Sequence, residues 1–334
     1  MINNIFIKAY FGYGGHVLKR LPGLFAFILP KTIVVEASNM CMLKCPACAT
    51  VSSSKRKQGL MPFETFKDLI DNIDWKLKRI NFSYAGEPLA NPQVLRMVKY
   101  AKQRGIDSVI ETNGMLLIER VDELLESGLQ KLNIAFDGIN QEMVSKYRVG
   151  IDFEKVISGI QQLVSERKKR GFTYPEIHLQ LIVMKHNENA IDKVIKMAQE
   201  LGADFIDIKS MIIGGGYGLS QKDKDKIAFE YLPERKEFMR YDRHETRWKL
   251  KKGRRCFCTH LLSDAVVTWT GDVTICTMDV GGRLVVGNIH KASLRKIWVS
   301  KDYNIKRRLA FASALEECKD CDYLVSDFKL IKLR

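Results

Sequence analysis

Three cysteines lie within eight residues near the start of the chain, in the spacing Cys41-x3-Cys45-x2-Cys48. Cysteines packed this closely suit a shared metal or iron–sulfur cluster better than structural disulfides. Three thiolates can hold three irons of a four-iron cube and leave the fourth iron open, and an open metal position is where a small molecule binds. A zinc site needs a fourth ligand, and no nearby residue supplies one.

A second set of cysteines follows near the C-terminus. Cys258 and Cys276 flank a predicted hairpin, and Cys318 and Cys321 form a Cys-x2-Cys pair. Four thiolates can close a four-iron cluster completely, while a zinc knuckle on the same residues is the alternative, because the spacing alone does not exclude it. Cys256 is then left over, as a structural thiol near the cluster or an alternative ligand.

The strands and helices that would position the first cysteine set alternate from Lys31 to about Met211, and each is indicated by its own pattern of apolar residues. Short apolar, β-branched runs predict strands at 32–36, 79–84, 108–111, 131–136, 176–183 and 205–208. Helical spacing predicts helices at 62–73, 92–104, 117–126, 153–170 and 188–201. Six strands alternating with helices predict a parallel sheet, wound into a full or partial barrel or left as an open α/β sheet. Functional groups are then expected at the carboxyl ends of the strands.

The alternation stops at residue 214. A charged stretch at 214–255 is predicted to be a linker with some helix, and a hairpin is predicted from 265–268 and 273–276 around Thr270-Gly271-Asp272. Two short helices are expected at 293–299 and 303–312. The chain therefore divides into an N-terminal extension (1–30), an α/β domain (31–213), the linker (214–255), an auxiliary cluster domain (256–325) and a tail (326–334).

The first cysteine set, placed after the first strand, resembles the signature of the radical S-adenosylmethionine (SAM) superfamily. Further segments match that family in the same order: Tyr84-Ala85-Gly86-Glu87-Pro88, Glu111-Thr112-Asn113-Gly114, Phe136-Asp137-Gly138 and Tyr147-Arg148-Val149-Gly150. The resemblance implies that Gly86, Glu87 and Asn113 bind SAM and that Arg148 holds its carboxylate. A carboxylate suits an ammonium and a guanidinium suits a carboxylate, while a glycine lets the backbone approach the ligand closely.

Two positions depart from the family pattern. Ala135 stands where many relatives carry a serine that touches SAM, and Ala47 stands where many carry an aromatic residue near the adenine. The cluster ligands are not affected.

The C-terminal cysteines and their surroundings resemble the SPASM domain in its short "twitch" form, with a single auxiliary 4Fe–4S cluster on Cys258, Cys276, Cys318 and Cys321. The two resemblances together predict a partial (β/α)6 TIM-like barrel followed by a small α+β auxiliary-cluster domain. They imply two 4Fe–4S clusters and SAM as cofactors, and a reducing electron donor such as flavodoxin or ferredoxin.

The resemblance also implies a reaction. Reductive cleavage of SAM gives a 5′-deoxyadenosyl radical, which abstracts a hydrogen atom from the substrate. We expect oxidation or epimerisation of a small polar substrate, such as a sugar or an aminocyclitol, assisted by the auxiliary cluster. In relatives that invert a stereocentre a thiol donates the returning hydrogen atom, so Cys256 is a candidate catalytic residue. Other candidates for substrate contact are Tyr84, Asp137, His178, Lys209 and Ser210.

Composition and charge leave alternatives open. The chain is basic, with 54 Lys and Arg against 39 Asp and Glu and a formal net charge of +15, but its basic runs are dispersed and lack the aromatic interleaving of RNA-binding segments. Nucleic acid is therefore not the expected partner, and RNA modification ranks below peptide or protein side-chain maturation as an alternative function. Free thiolates and clusters favour a reducing, cytoplasmic compartment. The apolar run 21–29 is too short to span a bilayer, although peripheral membrane contact through residues 1–30 is an alternative to packing on the domain.

Overall fold

Apolar residues at every second position build the central sheet of the protein. The structure is a computed structural model that describes residues 28–52, 56–213, 219–244, 247–251, 258–319, 321–322 and 328–333. The candidate residue Cys256 and residues 1–27 of the N-terminal extension, for which packing on the domain and peripheral membrane contact were the alternatives, lie outside the described residues. Six strands are parallel and follow one another in sequence order: β1 (Thr32–Val35), β2 (Arg79–Phe82), β3 (Asp107–Thr112), β4 (Lys131–Ala135), β5 (Glu176–Val183) and β6 (Phe205–Ser210). The predicted parallel sheet is confirmed, and the predicted strand ends lie within two residues of those observed.

Helices cover the outer face of this sheet. After the short α1 (Ala49–Ser52), which follows the first cysteine set, they are α2 (Phe63–Asp71), α3 (Val94–Gln103), α4 (Val121–Glu126), α5 (Gln141–Ser145), α6 (Phe153–Lys169) and α7 (Ile191–Glu200). Alternate residues of each strand face these helices. The packing is tight, since the rings of Phe66 on α2 and Phe82 on β2 lie 5.6 Å apart. Burial of this apolar layer is the main driving force for the α/β unit.

Both edges of the parallel sheet are extended by C-terminal strands. On one side β9 (Asp264–Val267) pairs parallel to β1, and β10 (Asp272–Thr274) and β11 (Val285–Asn288) continue antiparallel, so the predicted hairpin is observed. On the other side β12 (Phe328–Lys332) pairs antiparallel with β6. The sequence analysis had placed this last strand in the tail, because its pairing with a strand more than a hundred residues earlier leaves no local signal.

The stretch predicted as a linker contains regular structure. It holds α8 (Gln221–Tyr231) and a hairpin of β7 (Tyr241–His244) and β8 (Arg247–Leu250). Four further helices follow: α9 (His260–Ser263), α10 (Leu294–Trp298), α11 (Lys301–Phe311) and α12 (Glu316–Lys319). The side chains of Ser293 and Ser300 cap α10 and α11, which confirms the two predicted C-terminal helices.

Among the described residues, no helix has both the length and the apolar character needed to cross a membrane.

Candidate active site

The first cysteine set lies between β1 and α1, at the carboxyl end of the sheet. Cys45 is buried and Cys41 and Cys48 are half-buried, and all three are free of disulfides. The backbone N–H of Leu43 donates to Cys41 Sγ at 3.4 Å. Burial raises the pKa of the Cys45 thiol to about 11, although the nearby Arg148 guanidinium acts in the opposite direction. Burial also raises the pKa of the Cys41 thiol. Clustered thiols in a partly buried loop fit a metal-bound group, because bound metal stabilises the thiolate form.

Gly86 holds the beginning of this loop in place. Its φ is +68°, and a Cβ at this position would lie only 2.4 Å from the backbone oxygen of Ser38. Its N–H donates to Thr50 Oγ1 at 3.0 Å, and the next N–H, that of Glu87, donates to Met40 O at 2.7 Å. The backbone of the Gly86-Glu87 turn is therefore pressed directly against the segment that leads into Cys41.

Substituting this glycine is expected to open the cysteine loop. Gly86→Ala adds a methyl group that clashes with immobile backbone, so we expect loss of iron from the first site, measured as iron per chain after anaerobic reconstitution. Gly105→Ala is the matched control, since Gly105 has a φ of +71° but nothing within 4 Å of its added Cβ. Gly105→Ala should lose only about 1 kcal/mol of folding free energy, because alanine is disfavoured in the left-handed backbone conformation, and it should keep its iron. Equal iron contents in the two variants would contradict this account of Gly86.

The carboxylate of Glu87 accepts three hydrogen bonds from the residues around it. Its Oε1 accepts from Leu89 N at 3.0 Å and from Thr112 Oγ1 at 2.8 Å, and its Oε2 accepts from Asn113 N at 2.8 Å. Burial raises the pKa of this carboxyl, against the effect of the three donors. A carboxylate has about four acceptor positions, so one remains for a ligand ammonium. Three of the acceptor positions of Glu87 therefore fix the turn after β3, and its predicted contact with SAM would use the remaining one.

Asn113 links that turn to the cysteines. Its Nδ2 lies 3.6 Å from Cys41 Sγ and 3.2 Å from Met42 Sδ, while its Oδ1 accepts from Met115 N at 2.9 Å. The structure thus brings the predicted cofactor-binding residues Gly86, Glu87 and Asn113 together around Cys41. Their direct contacts with SAM stay a prediction.

Arg148 joins the same site through a buried ion pair. Its Nε donates to Asp137 Oδ2 at 2.6 Å, and Asp137 Oδ1 accepts from Ile182 N at 2.8 Å. Burial lowers the pKa of the guanidinium, but the charges of Asp137 and Cys45 outweigh it and raise the pKa overall. The guanidinium also hydrogen-bonds Cys45, so its remaining N–H groups are those available to a carboxylate. Asp137 thereby orients Arg148, and its contact with substrate stays a prediction.

The second cysteine set also converges. Each of Cys258, Cys318 and Cys321 interacts electrostatically with Cys276, whose pKa is raised by burial. Backbone N–H groups donate to the sulfurs: Met278 to Cys276 at 3.3 Å, and His260 and Leu261 to Cys258. No three Cys, His, Asp or Glu side chains of the described ranges form a site for a single metal ion. Four thiols that share a region supply the number of ligands that closes a four-iron cube.

The loop after Cys276 docks onto the ends of β1 and β2. Asp279 is buried and accepts from Thr274 Oγ1, Arg283 N and Leu284 N at 2.7–2.8 Å, which shapes the loop. Tyr84 Oη donates to the backbone oxygen of Asp279. Arg56 donates to Val280 O at 3.2 Å while it forms a two-pronged pair with the buried Glu36. Tyr84 therefore ties the two cysteine loops together.

The Cys318–Cys321 segment docks at the opposite edge, beyond β6. Asp322 Oδ2 accepts from Ile213 N at 3.0 Å and from the Tyr241 hydroxyl, and Asp322 O accepts from Arg240 Nη1 at 2.9 Å. The auxiliary cysteines are thus anchored to the carboxyl ends of β1, β2 and β6. These are the same ends at which the first cysteine set lies.

The face of the sheet that points away from the helices is polar. Asn81, Asn133 and His178 lie on that face, and Asn81 Oδ1 and Asn133 Oδ1 are buried without a hydrogen-bond partner. The His178 ring nitrogens lie 3.5 Å from Glu176 Oε2 and 3.7 Å from Asp207 Oδ1. His178 stacks on Phe205 at 4.4 Å. Lys209 shares this face.

Ser210, predicted with Lys209 to contact substrate, does not lie on the polar face of the sheet. Adjacent strand residues point to opposite faces, so Ser210 lies on the helix-facing side with Ile206 and Ile208, and that expectation is wrong.

Comparison with known proteins adds a family-level result. The Radical SAM superfamily profile matches residues 35–189, and the SPASM iron–sulfur cluster-binding domain profile matches residues 256–322. The AdoMet-dependent heme synthase of Methanosarcina barkeri is 33% identical over 177 residues, covering 52% of this chain and 48% of that protein, so the match spans about half the length of this relative. The tungsten-containing aldehyde ferredoxin oxidoreductase cofactor-modifying protein of Pyrococcus furiosus is 26% identical over 321 residues, or 87% of each chain.

Two solved structures share the fold. Streptococcus suis SuiB bound to precursor peptide SuiA has a TM-score of 0.64 at 14% identity, covering 90% of this chain and 71% of that one. BtrN in complex with AdoMet and 2-DOIA has a TM-score of 0.55 at 20% identity, covering 88% and 93%.

Proposed function

Because the chain belongs to the radical SAM superfamily and carries a C-terminal SPASM iron–sulfur domain, we propose that it abstracts a hydrogen atom from a small polar substrate and completes an oxidation or an epimerisation with the help of its auxiliary cluster. It is a radical SAM enzyme whose cofactors are SAM and 4Fe–4S clusters. The electron donor we propose is a flavodoxin or ferredoxin, and the compartment is the cytoplasm.

The roles of individual residues follow from their positions. We assign Cys41, Cys45 and Cys48 to the first cluster, with the fourth iron open for SAM. When bound, this cluster supplies the electron that cleaves the S–C5′ bond of SAM and so yields the 5′-deoxyadenosyl radical. Gly86, Glu87 and Asn113 receive the amino end of the methionine group, and the remaining N–H groups of Arg148 receive its carboxylate. The remaining cysteines, Cys258, Cys276, Cys318 and Cys321, hold the auxiliary cluster.

One observation carries the proposal: the auxiliary cysteine segment is anchored at both edges of the sheet's carboxyl end, through Tyr84 and Asp279 on one side and Ile213 and Asp322 on the other. A substrate at this end lies between the two cysteine sets. Oxidation of a secondary alcohol to a ketone removes two electrons and two protons. The first hydrogen atom leaves to the 5′-deoxyadenosyl radical. The hydroxyl proton is then released to solvent, and the remaining electron needs an acceptor within reach. The four thiolates are ligands for such an acceptor.

The polar inner face supports the substrate class. Buried polar atoms are normally hydrogen-bonded, so the unpartnered side-chain oxygens of Asn81 and Asn133 favour a ligand with hydroxyl or amino groups. Burial also lowers the pKa of Lys131, which shares this face. A sugar or aminocyclitol offers the hydrogen-bonding groups that this surface lacks.

The direct test is anaerobic incubation of the reconstituted enzyme with SAM and dithionite. We expect 5′-deoxyadenosine, with methionine as the second product. A chain that keeps its clusters but forms no 5′-deoxyadenosine is not a radical SAM enzyme in the sense proposed here. Addition of candidate polyols and aminocyclitols should increase the yield, and stimulation only by a peptide would move the assignment to side-chain maturation.

Isotope labelling separates oxidation from epimerisation, and it tests Cys256. In D2O, an epimerised product gains one deuterium, because the exchanged Cys256 thiol returns the hydrogen atom and the resulting sulfur radical is reduced by the electron donor. An oxidised product gains none at that carbon. Cys256→Ala is expected to keep both clusters. Loss of the auxiliary cluster in this variant would show that Cys256 is a ligand.

A further inference from the structure

The turn at 147–150 packs against the first cysteine loop and faces solvent. Lys44, in the middle of that loop, donates its backbone N–H to Val149 O at 2.9 Å. A Cβ on Gly150 would lie 3.5 Å from Met42 O, so the turn is in van der Waals contact with the loop. Val149 is 43% exposed. A single turn of backbone therefore separates this part of the cysteine loop from solvent.

Tyr147 joins the turn to the thiols. It is 7% exposed, and its hydroxyl interacts electrostatically with Cys45 and Cys48. Cys48 itself is half-buried. The Tyr147 ring packs against the ring of Tyr231 on α8, with 5.4 Å between their centres. A cluster held by these thiols is therefore close to the surface that the turn presents.

The inner side of the cysteine loop is too buried for a folded partner to reach. Glu87 is 1% exposed and Asn113, which approaches Cys41 Sγ, is 7% exposed. Asp137, which orients Arg148, is also 1% exposed. This side is assigned above to SAM and substrate. Because electron tunnelling weakens steeply with distance, a protein that reduces the first cluster has to dock close to it, and the turn offers a surface for that.

The surface at the turn is basic. Lys44 is exposed, and no carboxylate of the described residues forms an ion pair with it. Lys146 Nζ lies 3.4 Å from Glu142 Oε1, but both side chains are exposed, and such pairs contribute little. The exposed carboxylate of Asp152 is engaged as the N-cap of α6. Two lysines beside the exposed apolar side chain of Val149 complement an acidic protein surface.

We propose that Lys44, Lys146 and Val149 form the docking surface for an acidic electron-donor protein that reduces the first cluster. This rests on the function proposed above, and in particular on the cluster assigned to the first cysteine set. The net charge of +15 attracts an acidic partner to the whole chain. The two lysines then bring the partner to the turn over Tyr147. In the docked complex the donor loses one electron and the cluster gains it, and no bond is made or broken.

The test compares two reductants with the reconstituted full chain. Dithionite reduces the cluster without docking, whereas an acidic flavodoxin, kept reduced by NADPH and its reductase, has to dock. We expect Lys44→Glu and Lys146→Glu each to raise the KM for flavodoxin about fivefold or more, because charges at an interface act mainly on association. Formation of 5′-deoxyadenosine with dithionite should not change. The increase in KM should shrink at high salt, since exposed charges are screened.

Lys196→Glu is the matched control. Lys196 on α7 is exposed and lies within 4 Å of a carboxylate four residues away, Glu200, as Lys146 does with Glu142. It should keep the parent KM for flavodoxin.

The outcomes separate this proposal from the proposed function. An unchanged flavodoxin KM in both lysine variants, or an equal rise in Lys196→Glu, would overturn the docking surface. If Lys44→Glu loses its cluster, Lys146→Glu decides, because Lys146 lies outside the cysteine loop. Weaker binding of a short RNA in these variants, with the flavodoxin KM unchanged, would assign the surface to nucleic acid instead. A parent chain that dithionite activates and flavodoxin does not would contradict the docking proposal alone. A parent chain that forms no 5′-deoxyadenosine with dithionite would contradict both.

Discussion

Simultaneous replacement of Cys41, Cys45 and Cys48 by alanine is expected to abolish 5′-deoxyadenosine formation and to lower the iron content from about eight to about four atoms per chain. The reason is that these three thiols form one buried loop, braced by Gly86 and Glu87, and no other described cysteine lies in it. Iron analysis after anaerobic reconstitution, together with chromatography of the reaction with SAM and dithionite, measures both effects.

The complementary variant is Cys276→Ala, which removes the ligand at the centre of the second set. It should lose about four irons and retain the iron of the first site. An iron content near zero in the triple variant would contradict the second site. Appreciable 5′-deoxyadenosine from the triple variant would contradict the first.

The second large effect is expected at the ion pair between Arg148 and Asp137. Asp137 is 1% exposed and makes its only described contact with a cation here, through Arg148 Nε at 2.6 Å. Arg148→Met leaves the carboxylate buried without a counter-charge, which costs about 3–5 kcal/mol of folding free energy. Denaturant unfolding of the reconstituted protein under anaerobic conditions would measure this loss, and equilibrium dialysis with SAM would measure the expected weakening of SAM binding.

A double variant isolates the cause. Arg148→Met combined with Asp137→Asn removes both charges, so most of the lost stability should return, while SAM binding should stay weak because the guanidinium is still absent. Arg170→Met serves as the surface control. Arg170 pairs with Asp122 and Glu166 in solvent, where ion pairs contribute little. If the double variant is as unstable as Arg148→Met, the unpaired buried charge of Asp137 is not the reason for the lost folding free energy.

The sequence by itself determined the fold class and the two cysteine sets. Strands β1 to β6 are visible because alternating or continuous apolar runs are a local property of the chain, and so are the serine caps of α10 and α11. The grouping of Cys41, Cys45 and Cys48 is local as well. Gly86 and Asn113 are far from Cys41 in sequence, and they were identified through the resemblance of their segments to motifs of the radical SAM superfamily. Both segments follow predicted strands, and the carboxyl ends of parallel strands meet at one edge.

Only the tertiary structure decided which partners these residues take. The contact between Tyr84 and Asp279 joins residues 195 positions apart, and the carboxylate of Asp137 forms a buried ion pair with Arg148. The pairing of β12 with β6 and the outward direction of Ser210 belong to the same group. Such contacts depend on how elements with no sequence proximity pack together. The local propensities that make a strand or a cap readable carry no information about which distant side chain will meet them.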